Sequence, residues 1–335
     1  INSTMMAKEN PDDPYITISQ GPAWRFLEQE FDPNIVLAKL RIACGFEVIK
    51  NSKRILAYLN KNCGKFSNIF NCDLVHAPMV DLSVFGTVIP ENPFNLTLNE
   101  ATKIGADINV DYWLGFWGEP RLIYTSHEFR TGKYNNSNRR SIHLGIDIFT
   151  NSGHKISAPL HGIVRTVENR KSQLDYGGIV ILEHSNNHGD KFYSLYGHLN
   201  PSVVDELSVG QIIEKGEVFC ELGSSNNNGG WAPHLHLQLS LSLECMDNNW
   251  PGVADPDEMN FWGKICPNPA SLLNLPDNKT LYKKIDEKVI SEKRKNNFGS
   301  NLKLSYENPL MFGRGWKHYL FDQMGRTYLD AYNNV

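Results

Sequence analysis

Histidine and carboxylate side chains recur in this chain at spacings that would let them bind one metal ion. Asp147 follows His143 by four positions, and His234 and His236 lie two positions apart further along the chain. In an extended strand, residues i and i+2 point to the same face, so His234 and His236 would enter one site together. Two neutral imidazoles and one carboxylate around Zn²⁺ leave an open fourth position, which is typical of catalytic rather than structural zinc sites.

A water molecule in that open position would be the reactive group. Zinc lowers the pKa of a bound water toward ~7, which gives a hydroxide nucleophile at neutral pH. Hydrolysis of an amide also needs a group that moves a proton to the leaving amine. A histidine whose pKa lies near neutrality can do so. The residue types therefore indicate metal-dependent hydrolysis.

Short apolar segments separated by glycine surround these residues. Residues 177–184 form an apolar run that begins with two glycines, and residues 193–199 form an aromatic run that contains His198. Glycine turns follow at 209–211 and 214–218. Because no helix-length period separates the segments between 160 and 240, we predict antiparallel strands that form a β-sandwich or curled sheet.

The order of these motifs resembles the lysostaphin/LytM-type zinc metalloendopeptidases. The family pattern has an HxxxD motif, an aromatic strand that ends in histidine and leucine, two glycine turns and a final HxH, and this chain matches it over roughly residues 141–240. The resemblance implies a mainly β fold with a smaller helical part. It also implies one Zn²⁺ per chain, bound by His143, Asp147 and His236.

The same resemblance gives roles to two further histidines. His234 matches the catalytic histidine beside the metal and His198 matches the other active-site histidine; which of them is the base and which stabilises the oxyanion stays open. Gln238 stands where the family usually has Glu, at a position that we expect to lie outside the metal shell. The loop 224–232 is longer than usual, and its Trp231 is either a groove wall or a core residue.

The function that follows is a zinc-dependent hydrolase, a metallopeptidase that cleaves a peptide or a related small amide. The alternative is a non-catalytic binding or scaffold module. Degenerate members of this kind lose metal ligands, whereas this chain keeps all three.

Composition limits the partners. The 335 residues contain 41% hydrophobic residues and carry a net charge of −4, which suits a core for about two domains. No basic aromatic run suggests nucleic-acid binding. No apolar stretch approaches the ~18 residues of a membrane span. We therefore expect neither nucleic acid nor membrane as a partner.

The flanking regions suggest a larger multidomain bacterial protein. Residues 1–75 read as a helical region with three helices. Trp24, Leu27 and Phe31 keep helical spacing in the first, the second begins at Pro33 and ends before Gly45, and the third runs over 52–59. The segment 15–25 resembles the tail of an aminoglycoside-phosphotransferase-like kinase.

Four domains or segments are then predicted along the chain. After the helical region, residues 76–275 form the peptidase domain with its motif core at 141–240, and 276–304 form a charged linker or helix. Residues 305–335 resemble the start of a class III pyridoxal-phosphate (PLP) aminotransferase. PLP would then belong to the parent protein and not to this fragment, and contacts with flanking domains are expected.

Expectations also follow for several other residues and segments. We expect His184 and the arginines at 121, 130, 139 and 140 to lie at the surface, with Arg140 open as a contact for a substrate carboxylate. The aromatic run 109–118 reads as a strand packed on the core, with a substrate platform as the alternative. The segment from 305 onward is expected to be loosely held.

Cysteine usage bears on location. The six cysteines are irregularly spaced and form no CxxC pair. In a chain of this length, such cysteines indicate free thiols in a reducing compartment. We therefore predict a cytoplasmic protein, with an extracytoplasmic setting as the alternative that the peptidase family suggests.

Overall fold

The computed structural model describes residues 33–126, 129–130, 139–243, 250–298 and 310–330. Its helices are α1 (Pro33–Ala43), α2 (Ser52–Asn62), α3 (Leu98–Ala101), α4 (Val203–Glu206), α5 (Met259–Ile265), α6 (Asp277–Thr280) and α7 (Glu287–Asn297). Its strands are β1 (Trp113–Gly115), β2 (Ile142–His143), β3 (Ile146–Phe149), β4 (Lys155–Ser157), β5 (Gly162–Arg170), β6 (Gly177–Ser185), β7 (Lys191–Leu199), β8 (Ile212–Ile213), β9 (Val218–Glu221), β10 (His234–Ser240), β11 (Val253–Ala254), β12 (Phe312–Trp316), β13 (Tyr319–Asp322) and β14 (Thr327–Leu329).

A seven-stranded antiparallel sheet forms the centre of the fold. Its strand order is β1-β3-β10-β7-β6-β5-β8. Glycine turns join its strands, as expected from the sequence, and Gly210 and Gly216 adopt positive φ angles that other residues rarely take. The prediction of a mainly β, antiparallel fold with few helices is confirmed.

Strand β10 shows why both faces of this sheet are buried. Leu235, Leu237 and Leu239 alternate along it with histidine, glutamine and serine, and each of its seven residues is buried. The leucines point into the largest apolar core, which also contains side chains of β3, β6 and β7. The polar residues therefore point to the opposite face, where further chain segments cover them.

The N-terminal helices pack on the peptidase-like sheet. The second and third predicted helices are confirmed, as α1 and α2, and α1 ends before Gly45, whose φ of 77° suits a helix C-terminus. The first predicted helix, around 24–31, lies outside the described residues. Ile55 and Leu59 of α2 are buried in the largest core. The kinase-like segment 15–25 lies outside the described residues.

His184 contradicts its predicted surface position. It is 2% exposed on β6, where its Nδ1–H donates to the carbonyl of His161 and its Nε2 accepts from the Ser194 hydroxyl at 2.7 Å. Burial lowers its pKa to about 4, so the ring is neutral at pH 7. Because both ring nitrogens of His184 form hydrogen bonds, this side chain can be buried near the end of the apolar strand β6.

The C-terminal sheet also differs from expectation. Helix α7 has no buried residue. Strands β12, β13 and β14 form a separate sheet, but Phe321 is fully buried beside Val84 and Leu122. The Ser141 hydroxyl donates to the carbonyl of Met324 at 2.8 Å. The expectation of a loosely held segment is therefore wrong, because Phe321 of this sheet packs against Val84 and Leu122.

Two further observations concern thiols and membranes. The described cysteines, Cys44, Cys63, Cys72, Cys220 and Cys266, form no disulfide with one another, and Cys245 lies outside the described residues. Among the helices of the described ranges, none combines the length and the apolar character that crossing a bilayer demands.

The packing of the C-terminal sheet gives a stability prediction. Phe321→Ala should lower the free energy of unfolding by about 3–5 kcal/mol, because it removes a fully buried aromatic ring and leaves a cavity. Phe312→Ala is the matched control, since Phe312 lies in the same sheet but is 41% exposed. Thermal or urea unfolding of both variants measures the difference. Equal, small effects would show that the sheet is not part of the cooperative core.

Candidate active site

The sheet brings the three predicted metal ligands to one point. Strand β10 pairs with β3 so that His236 lies opposite Asp147. His143 ends β2, the strand that precedes β3 in the chain and pairs with β11. The Nε2 of His143 and the Nδ1 of His236 each lie 3.1 Å from Oδ1 of Asp147, and they lie 2.9 Å from each other. A tetrahedral zinc with ligands at about 2.0–2.1 Å has ligand atoms about 3.3 Å apart, close to this triangle.

Hydrogen bonds on the far side of each ring fix which nitrogen faces the triangle. The Nδ1–H of His143 donates to the carbonyl of Phe116 at 3.1 Å, and the Nε2–H of His236 donates to Oε1 of Gln238 at 3.0 Å. The Gln238 amide nitrogen donates to the carbonyl of Pro251 and to Sγ of Cys266, so its oxygen must be the acceptor. Gln238 thus contacts a predicted ligand, closer to the centre than the sequence suggested.

Three acceptor atoms therefore converge in a buried space. His143, Asp147 and His236 are 1–3% exposed. Burial, reinforced by the charge of Arg121, lowers the pKa of His143 to about 3. Burial opposes ionisation of Asp147, but His143 and Arg121 outweigh it and hold that pKa well below its ordinary value. Deprotonated ligands are what a divalent cation requires, so the donor set fits a metal such as zinc.

The two other predicted histidines lie beside the triangle with their Nε2 atoms available. The Nδ1–H of His198 donates to the carbonyl of Asn228 at 2.9 Å, and that of His234 donates to the carbonyl of Ala232 at 2.7 Å. Their rings lie 4.2 Å apart, and Nε2 of His234 lies 3.9 Å from Oδ1 of Asp147. Burial lowers the pKa of both. Each can therefore accept a proton at Nε2.

Backbone strain accompanies the position of His198. Its φ of 63° is uncommon for a residue other than glycine. Its backbone N–H donates to the carbonyl of Tyr176 at 2.8 Å, which holds the strand end in this conformation. Strain of this kind collects at functional sites, where surrounding contacts maintain it.

The loop 224–232 forms one wall of the site. Asn228 is fully buried and its Oδ1 accepts from the backbone N–H groups of Gly230 and Trp231, while its backbone carbonyl holds His198. Trp231 is 6% exposed and lies edge-on to the His198 ring. Both readings of Trp231 therefore apply, since it is a packed residue and it also lines the pocket.

A pocket of about 80 Å³ opens onto the histidines. Its walls are mostly apolar and come from several segments of the chain. They include Ala101, Ile104, Ile123, Phe129, Phe149, Leu174 and Val253. Strand β1 lies behind this wall, where the Trp113 ring stacks on Phe149 with the ring centroids 3.7 Å apart. The predicted core position of the aromatic run is confirmed for residues 113–115, whereas residues 109–111 are exposed.

Sequence reasoning missed the arginine at the centre of the site. Arg121 was expected at the surface, but it is 1% exposed and its Nη1 lies 2.5 Å from Oδ2 of Asp147. Arg139 is buried as well, whereas Arg130 is exposed. The available signal was the pair Glu119 and Arg121, opposite charges two positions apart at the start of an apolar run. Such a pair can be buried together on one face of an extended segment.

Comparison with known proteins places this site in a family. Residues 141–248 match the sequence model of Peptidase family M23. Over 135 residues the chain is 31% identical to the L-Ala–D-Glu endopeptidase of Bacillus subtilis (strain 168); the match covers 38% of this chain and 38% of the relative, so the chain spans little more than a third of that protein's length.

Solved structures with matching segments carry similar names. The catalytic domain of the antimicrobial peptidase lysostaphin from Staphylococcus simulans is 27% identical, with 36% of this chain and 80% of that chain covered and a TM-score of 0.25. A zinc-containing peptidase from Vibrio cholerae is 21% identical, with 37% and 36% covered and a TM-score of 0.25. The family match decides the identification: residues 141–248 form a peptidase M23 domain of the lysostaphin/LytM type.

Proposed function

We propose that this chain is a zinc-dependent peptidase that hydrolyses an amide bond in a peptide of the peptidoglycan type. One observation carries the proposal. His143, Asp147 and His236 present three acceptor atoms to a single point, and hydrogen bonds to Phe116 and Gln238 hold the imidazole lone pairs in that direction. Two more histidines border the same point with a free Nε2.

The chemistry divides between the ion and the side chains. Zn²⁺ held by His143, Asp147 and His236 would supply an activated water and polarise the scissile carbonyl. His198 and His234 would act through their Nε2 atoms, one taking the proton of the water and passing it to the leaving amine, and the other stabilising the oxyanion. Their nearly equal positions leave the division of these two tasks open.

The pocket walls support a substrate with a small apolar residue beside the scissile bond. The B. subtilis relative is named for an L-Ala–D-Glu bond, and a methyl group suits the apolar pocket at the histidines. A wider groove of about 570 Å³ lies beside that pocket, with walls that include Arg170 and Lys171. Residues adjacent in sequence line both spaces, for example at 173–174 and 230–231. An acidic neighbour of alanine in the substrate would lie toward Lys171, since Arg170 already pairs with Glu168.

The wider organisation of the protein remains a proposal of the same kind. The domain limits given above, the kinase-like and aminotransferase-like neighbours and the cytoplasmic location are proposed from the sequence. The alternative of a non-catalytic module is not favoured, because the metal-ligand set and both neighbouring histidines are present together.

Metal binding is the first test. His236→Ala should abolish stoichiometric zinc binding, because it removes one of three protein ligands. His161→Ala is the matched control, since His161 lies on the surface and pairs with Glu214 outside the site. Elemental analysis of zinc after dialysis gives the occupancy of each protein. Near-complete occupancy in His236→Ala would contradict the ligand assignment.

Proton transfer is the second test. His198→Ala and His234→Ala should each retain zinc but hydrolyse a peptide that contains an L-Ala–D-Glu bond about 10²–10⁴-fold more slowly, the usual loss for a missing acid–base group. Product formation measured by chromatography, together with zinc content, separates loss of chemistry from loss of metal. Rates within tenfold of the unaltered protein for both variants would rule out the mechanism.

A further inference from the structure

The second oxygen of Asp147 is occupied by the protein itself. Oδ1 faces His143 and His236, whereas Oδ2 pairs with Nη1 of Arg121 at 2.5 Å. Both partners of this ion pair are almost completely buried. A carboxylate held in this way has one oxygen available for a metal and one committed to the guanidinium.

Arg121 is held in turn by Glu119. The Nε–H of Arg121 donates to Oε2 of Glu119 at 2.7 Å, and Oε1 of Glu119 accepts from the backbone N–H of Leu82 at 2.8 Å. The Tyr124 hydroxyl lies 3.3 Å from Nη1. Every link of the chain from Leu82 to Asp147 is buried, so each side chain has little freedom to turn.

The backbone aligns this chain with the ligand strand. The N–H of His143 donates to the carbonyl of Glu119, and the N–H of Arg121 donates to the carbonyl of Ser141. Residues 119–121 therefore run alongside residues 141–143, and the position of the guanidinium is fixed relative to both His143 and Asp147. The two segments are coupled although only the second lies in the family-matched region.

Charge balance explains why the glutamate is needed. An arginine alone beside a divalent cation would repel it, and a buried unpaired charge is costly. Burial raises the pKa of Glu119 to about 7. In its ionised form Glu119 compensates the charge of Arg121, with which it pairs, so Asp147 keeps its own negative charge for the metal. Apolar side chains can often replace a buried ion pair without loss of stability. Stability alone therefore does not explain why this pair contacts the ligand Asp147.

We propose that Glu119 and Arg121 are positioning residues of the metal centre. Arg121 orients Asp147 so that Oδ1 alone faces the ion, and Glu119 fixes Arg121 and offsets its charge. The segment that precedes the peptidase M23 domain thus completes the site. This inference rests on the proposed zinc site, and hydrogen bonds to ligands of this kind typically change metal affinity by about 10–100-fold when they are removed.

The test compares zinc affinity with stability in the full chain. The double variant Glu119→Gln/Arg121→Met removes both charges with little change of volume. Arg121→Lys keeps the positive charge but lacks the separate donor groups with which Arg121 bridges Glu119 and Asp147. Arg139→Met is the matched control, because Arg139 is also a buried arginine but contacts the Phe94 ring and not the site. Competition with a chromophoric chelator gives zinc affinity, and thermal unfolding of metal-free protein gives stability.

The expected pattern separates positioning from packing. The double variant should bind zinc about 10–100-fold more weakly while its metal-free thermal transition stays near that of the unaltered chain, Arg121→Lys should be intermediate, and Arg139→Met should keep full affinity. With Co²⁺ in place of zinc, the visible absorption bands should weaken in the double variant as Asp147 turns and coordination rises. Should the double variant fail to fold, the affinity and spectrum of Arg121→Lys decide the matter.

Two results would overturn the inference. Unchanged zinc affinity in Arg121→Lys and in the double variant would show that the pair does not position Asp147, while the proposed zinc site would stand. Absence of zinc binding by the unaltered chain would instead remove the proposed function, and this inference with it.

Discussion

The site depends on the direction of two imidazole lone pairs. The N–H of His143 donates to the carbonyl of Phe116, and the N–H of His236 donates to the amide oxygen of Gln238. Both acceptors lie on the side of the ring away from the centre. What remains at the centre is a triangle of acceptors with sides of 2.9–3.1 Å and no donor of its own. Acceptors so close together repel each other unless a cation lies between them. The surrounding hydrogen bonds thus orient the three acceptor atoms for the metal that we propose, before any ion is bound.

Strand register is what brings these groups together. Successive side chains of β10 point to opposite faces of the sheet. The leucines point into the core, and His234, His236 and Gln238 point to the other face. Pairing with β3 sets His236 opposite Asp147, and pairing with β7 sets it opposite Gly197, one residue before His198. A shift of one residue in β10 would move every histidine into the apolar core, so the core leucines also protect the site geometry.

Much of this arrangement could be predicted from local sequence patterns. The HxxxD and HxH spacings, the glycine turns and the helices at 33–43 and 52–62 follow from periodicity and residue type. Long-range contacts could not be predicted in this way. Arg121 reads as a surface cation until its pairing with Asp147 and Glu119 is seen, and the burial of Phe321 depends on residues 84 and 122, far away in sequence. The hydrogen bond between His184 and Ser194 joins two different strands, so it could not be predicted from local sequence either.

Diffraction at the zinc absorption edge tests the central claim most directly. Crystals of the full chain grown with zinc should show one anomalous peak within bonding distance, about 2.0–2.2 Å, of Nε2 of His143, Oδ1 of Asp147 and Nδ1 of His236. The same map should show the Nδ1–H of His143 still bonded to Phe116 and the Nε2–H of His236 still bonded to Gln238. A peak bound through the opposite ring nitrogens, or located away from these three side chains, would contradict the account.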